Sequence, residues 1–145
     1  MAKVYELVKD RETYSVNADQ TVLEAAHYMA EKNIGAVAVL RNNELVGIFS
    51  ERDIMGRVVA AAKDPAKTRV AEVMTANPVV ADIGDSLENC MVLMKQHGFR
   101  HLPICEGKQI RGLISLRDIL LRDLTEKDNE VRMMRAYIQA TPGGE

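Results

Sequence analysis

Gly47-Ile48-Phe49-Ser50-Glu51-Arg52-Asp53-Ile54 and Gly112-Leu113-Ile114-Ser115-Leu116-Arg117-Asp118-Ile119 are the same eight positions written twice, 65 residues apart. The match runs outward from them without a gap, over residues 20–54 and 85–119. Thr21-Val22 falls on Ser86-Leu87, Met29 on Met94, Ile34 on Phe99, and Val37 and Val39 on Leu102 and Ile104. A duplicated unit dictates the architecture before any single residue is weighed. Two like units are expected to pack about a pseudo-two-fold axis, with two related clefts between them.

Each copy carries the same order of signals. A short extended piece, Tyr14-Ser15-Val16 or Pro78-Val79-Val80-Ala81, precedes a helix with Thr21 or Ser86 as N-cap. Val22, Ala25, Ala26 and Met29, and in the second copy Leu87, Cys90, Met91 and Met94, have helical spacing. Gly35 or Gly98 is expected to stop the helix. Two β-branched runs follow, joined through Arg41–Glu44 and Glu106–Gln109 as hairpins. Pro103 cannot donate to a ladder, so its strand is expected at a sheet edge or where the ladder opens. A second helix is predicted from Ser50 to about Ala62 and from Ser115 to about Leu124. The fold class is thus α/β, a tandem β-α-β-β-α repeat plus a C-terminal helix. The expected boundaries are 1–66 for the first repeat, 67–126 for the second and 127–145 for the helix and tail. Val131, Met134 and Ile138 share one face of that helix, which Thr141-Pro142-Gly143-Gly144 is expected to end.

Composition narrows the function. A chain of 145 residues with 47% hydrophobic and 28% charged residues suits one compact globular unit. The net charge of −2, with no Trp and two Phe, gives no basic field and few stacking platforms, so nucleic acid is not an expected partner. No apolar run approaches a membrane span or a signal peptide, and a cytoplasmic location is expected. Cys90 and Cys105 read as small buried apolar residues rather than a disulfide. There is no CxxC, HExxH, Walker or GxSxG motif, and no nucleophile in a recognisable setting, so neither a metal nor an enzyme is expected.

Two constellations could carry binding. In Ser50-Glu51-Arg52-Asp53 and Ser115-Leu116-Arg117-Asp118, a serine N-cap with an acid three residues on resembles a capping box, which accounts for Ser and Asp by helix stability alone. It leaves Arg unexplained in both copies, because a cation in a first turn opposes the macrodipole. A phosphate site accounts for all three: backbone N–H groups and Arg for the anion, Asp for a ribose diol. Both readings stand at this point. The second constellation is Gly98-Phe99-Arg100-His101, either a solvated loop or a phosphate contact with a titratable donor. The first copy has Gly35-Ala36 there, so the clefts should differ.

These motifs, with Val73-Met74-Thr75-Ala76-Asn77-Pro78-Val79 and Phe99-Arg100-His101-Leu102-Pro103-Ile104, give the chain its resemblance to a tandem pair of CBS (cystathionine-β-synthase) domains, a Bateman module. It covers about residues 3–125 and looks like the small stand-alone bacterial type. The resemblance implies a sensor of adenosine ligands: AMP, ADP, ATP or NAD, sometimes S-adenosylmethionine. It implies that Asp53 and Asp118 take ribose hydroxyls and that Ser50, Arg52, Ser115 and Arg117 face phosphates. Arg100 and His101 match the family's basic positions. Adenine would lie along Tyr14-Ser15-Val16 and Val79-Val80-Ala81 in the first strands, with Val16 and Val80 as contacts, and near Ala36 and His101 in the second. The first copy lacks the Met-Thr-x-x-Pro lead-in, having Leu7-Val8-Lys9-Asp10-Arg11, and lacks the Arg-His pair. The resemblance further implies a homodimer signalling to an effector protein. A ligand-free structural adaptor is the alternative.

Overall fold

A computed structural model describes residues 2–140, with 123–126 and 139–140 as backbone. The elements are α1 (Tyr5–Val8), β1 (Ser15–Asn17), α2 (Val22–Lys32), β2 (Ala36–Arg41), β3 (Glu44–Ser50), α3 (Glu51–Asp53, running on as a π-helix over Ile54–Val59), α4 (Val70–Val73), β4 (Thr75–Ala76), β5 (Ala81–Asp82), α5 (Leu87–His97), β6 (His101–Glu106), β7 (Gln109–Ser115) and α6 (Leu116–Ala140). They build one sheet per repeat, ordered β1-β2-β3-β4 and β5-β6-β7. In each, the first strand lies parallel to the second and the second pairs antiparallel with the third. The register repeats as well: Ala36 opposes Ser50, and His101 opposes Ser115.

Local chemistry explains most boundaries. Thr21 and Ser86 cap α2 and α5 by accepting from the backbone N–H three residues on. The hairpin turns close on Asn42-Asn43 and on Gly107, all at positive φ, which Asn and Gly tolerate. The end of α2 corrects one expectation: Asn33, at φ 54°, supplies the left-handed cap, and Gly35 lies beyond it. Gly98, the counterpart of Asn33, caps α5. Pro103 is not on an edge. It lies in the central strand β6, opposite Leu113, and β5 pairs with β6 only beyond it, at Ile104 and Cys105, so the ladder is open where Pro has no N–H to give.

The second helices also differ from expectation. After Asp53 the helix widens to a π-helix, with Ala60 and Lys63 donating to the carbonyls of Met55 and Val58. Gly56 lies inside it, where the second copy has Leu121. In that copy one helix runs unbroken from Leu116 to Ala140, so the expected separate helix from 127 continues the repeat's last helix. No Gly or Pro interrupts those residues. The expected stop at Thr141–Gly144 lies outside the described residues.

The hydrophobic cores show how the repeats are joined. One core holds Val22, Ala25, Met29, Val37, Val39 and Phe49 of the first repeat together with Val70 and Val73 of α4. The other holds Leu87, Cys90, Met94, Leu102, Ile104 and Ile114 together with Val4 and Val8 of α1. Each leading segment therefore completes the core of the opposite repeat. Reciprocal backbone bonds pin the exchange: Val4 N–H to Asp85 O (2.8 Å) and Leu87 N–H to Ala2 O (3.1 Å), Val70 N–H to Gln20 O (2.9 Å) and Val22 N–H to Thr68 O (2.8 Å).

Candidate functional site

Crossing the leading segments puts the end of each third strand against the other repeat, and two clefts result. The first, of about 240 Å³, sets Ser50, Arg52 and Asp53 of the first repeat against Gly98, Phe99, Arg100 and His101 of the second, with Thr75, Pro78 and Val79 along one wall. The second, of about 510 Å³, sets Ser115, Arg117 and Asp118 against Asn33, Ile34, Gly35 and Ala36, with Arg11, Glu12 and Tyr14 along its wall. His101 lines both. Each cleft thus draws its serine–arginine–aspartate turn from one repeat and its loop from the other.

The capping boxes are formed in both turns. Asp53 Oδ2 accepts from the Ser50 N–H (3.0 Å) and Oγ (3.2 Å), and Asp118 Oδ2 accepts from the Ser115 N–H (2.7 Å). These bonds hold each carboxylate against the cleft wall and use one of its oxygens. The turns are anchored by Glu51 N–H to Gly35 O (2.9 Å) and Leu116 N–H to Arg100 O (2.8 Å). Helix stability therefore accounts for Ser and Asp, as the motif predicts, and the arginines remain at the cleft rims with exposed side chains.

The remaining partners separate the two sites. Asp53 Oδ1 has Arg57 Nε at 3.6 Å, and Arg57 also donates to the carbonyls of Met74 (2.8 Å) and Val73 (3.2 Å). Asp118 instead accepts from Arg11 Nη1 at 3.0 Å. Burial alone would push the Asp118 carboxyl up, but the bonds from Arg11 and Ser115 outweigh it and hold it below the ordinary carboxylate value. Burial pushes the His101 imidazole down; Asp118 and Glu51 pull it up, and Arg100 adds to the lowering.

Two of the expected adenine contacts lie elsewhere. Val16 is in the first core, 4% exposed, and Val80 faces solvent, 42% exposed; neither lines a cleft. Of the two stretches expected at the adenine, Tyr14 and Val79, equivalent to each other across the repeat, are the residues that line the clefts. Arg11 carries no motif, Thr75 belongs to the Met-Thr-x-x-Pro lead-in, and both come to the clefts through the exchange of leading segments.

Among the described residues no group of three His, Cys, Asp or Glu side chains could hold a metal, and His97 stacks on Phe99 at 5.2 Å. Cys90 and Cys105 are free and buried. Burial, with Asp85 adding, pushes the Cys90 thiol up to about 11, so it is a packing residue rather than a nucleophile. No helix among the described residues is long and apolar enough to cross a membrane.

Known proteins share this arrangement. The pattern of the CBS domain matches residues 4–60 and 70–124. The chain is 35% identical over 113 residues to the CBS domain-containing protein YhcV of Bacillus subtilis, covering 78% of this chain and 80% of that protein. A solved structure of a CBS-domain containing protein from Agrobacterium tumefaciens superposes with a TM-score of 0.76 at 30% identity, over 84% of this chain and 99% of that one. The hexameric CBS-CP12 protein of bloom-forming cyanobacteria superposes at 0.78 with 29% identity, over 97% and 86%.

Proposed function

The chain belongs to the CBS-domain family, and from that premise we propose that it is a regulatory module that binds an adenine nucleotide between its repeats and passes the bound state to a partner. The observation that carries this reading is the first cleft. It brings a helix-opening serine, a rim arginine and a wall carboxylate from one repeat to within one cavity of Arg100 and His101 from the other. Arg52 and Arg100 supply forks for phosphate, and Asp53 supplies the acceptor a ribose diol needs. At about 240 Å³ the cavity suits a mononucleotide, AMP, ADP or ATP, with its phosphates reaching the rim, better than the second nucleoside of NAD. Because both repeats line it, a ligand there favours the closed arrangement of the two, which is how a bound nucleotide shifts a conformational population. We place the chain in the cytoplasm as a homodimer, its report passing to an effector protein through the dimer or through α6.

The test is thermal melting of the purified chain with AMP, ADP, ATP, NAD and S-adenosylmethionine in turn. A ligand of the folded state raises the melting temperature with concentration, by about 2.7 kcal/mol of stability at a hundred times its Kd. Asp53→Asn should abolish that rise. A second reading, a structural adaptor, is favoured by one observation: both wall carboxylates already have partners in their capping boxes. It predicts no melting shift with any of the five compounds at millimolar concentration.

A further inference from the structure

We infer that Phe99 is the platform for the base in the first cleft, its ring stacking on the base and so setting the preference for a nucleotide over a base-free sugar phosphate. This rests on the nucleotide-binding reading above and names the residue that holds the base. Neither Val16 nor Val80 lines a cleft, so the base needs another wall. The apolar lining of the first cleft comes from Ile48, Pro78, Val79 and Phe99, and of these only Phe99 has an aromatic face.

Three features suit the ring to this role. Its counterpart in the first repeat, Ile34, packs against the first core, whereas among the described residues Phe99 joins neither core. A half-buried phenyl that is not used in core packing keeps its apolar area for a ligand. The ring is also backed: His97 stacks on it with centroids 5.2 Å apart and planes 11° from parallel. Phe99 lines the cleft and His97 does not, so the imidazole supports the ring from outside the cavity. Finally, the backbone is held on both sides. The Phe99 N–H donates to Met94 O (3.0 Å) beyond the left-handed Gly98, and Arg100 O accepts from the Leu116 N–H (2.8 Å). A ring held in this way loses little freedom when a base stacks on it. Arg52, Arg100 and Asp53 serve phosphate and ribose, and would hold a sugar phosphate with or without its base. Phe99 is the group that registers the base itself.

The chain has no Trp, so Phe99→Trp places a single indole at this position. The full chain carrying it is titrated with AMP, ADP and ATP in turn while indole fluorescence is followed, with ribose 5-phosphate as the base-free control. The same nucleotides are titrated by calorimetry into wild type, Phe99→Leu and Phe99→Tyr. A stacked base quenches the indole, so quenching should saturate with the nucleotide and be absent with ribose 5-phosphate. Phe99→Leu should weaken nucleotide binding about tenfold, and Phe99→Tyr should restore it. Binding to Phe99→Trp without quenching, or wild-type affinity in Phe99→Leu, would overturn the platform and leave nucleotide binding standing. If Phe99→Leu melts lower without ligand, its weaker binding reports folding, and the indole signal decides. Uptake of none of the three nucleotides by wild type removes both this inference and the reading beneath it.

Discussion

Val8, in the first helix of the chain, packs onto the bare backbone of Gly112, in the last strand: a Cβ at Gly112 would come within 2.6 Å of Val8 Cγ1 and 2.9 Å of its Cβ. The other repeat repeats the relationship, with Gly47 beneath Met74 and the Thr75 carbonyl, at 2.5 and 2.8 Å. The glycine that opens each serine–arginine–aspartate motif is therefore where the opposite leading segment crosses the strand. Gly112→Ala and Gly47→Ala should each destabilise the chain by about 1–3 kcal/mol through overpacking. Gly47→Ala should be the more costly, because a backbone carbonyl gives way less easily than a side chain. Urea midpoints of the two variants check this; wild-type stability in both would mean the segments are not exchanged.

Arg57 ties the wall of the first cleft to the second leading segment. It donates to the last carbonyls of α4, at Val73 and Met74, and sits beside Asp53. Arg57→Ala should cost about 1 kcal/mol, the low end for a charged donor because its side chain is half exposed. Arg57→Lys should recover only part, lacking the fork. Hydrogen exchange should quicken in residues 73–76 ahead of the rest of the sheet.

The Arg11–Asp118 pair makes stability fall in acid. Asp118 titrates lower in the folded chain than unfolded, so its contribution is complete above the ordinary carboxylate value and is lost as pH falls through the depressed folded one. The pair is partly exposed, so about 0.5 kcal/mol is expected. A double-mutant cycle with Arg11→Gln and Asp118→Asn should show that coupling at pH 7 and a shrinking one as acid protonates Asp118.

His101 acts in a higher window. Its folded value lies below the unfolded one, so the unfolded chain binds the extra proton and stability declines as pH drops from about 6.5 toward the folded value. His101→Gln should flatten the melting temperature between pH 7 and pH 5. The charged groups that set the shift besides burial are Asp118, Glu51 and Arg100, so Arg100→Gln should narrow the window.

Along α6, Val131, Met134 and Ile138 share one exposed face. Light scattering of the wild-type chain should give about twice its 16.1 kDa mass. Met134→Lys with Ile138→Lys should halve that value without lowering the melting temperature of the repeats. A wild-type monomer would rule out the dimer.

The repeat, its strand and helix order and the two capping turns were legible in the chain because they rest on local chemistry: period-2 and helical spacing, N-cap hydroxyls, Asn and Gly at positive φ. The misread boundaries have the same local origin. Gly35 reads as a stop until Asn33 is seen to take the left-handed position, and a helix boundary at 127 has no Gly or Pro to make it. The exchange of leading segments was beyond any local signal. Val4, Val8, Val70 and Val73 are apolar residues that could fill either core, and only the path of the chain across Gly47 and Gly112 decides which. That path in turn sets Arg100 opposite Asp53 and carries Arg11 to Asp118. Duplication dictated that there would be two clefts; their inequality came from long-range packing, because the residues that distinguish them are more than forty positions apart in the chain.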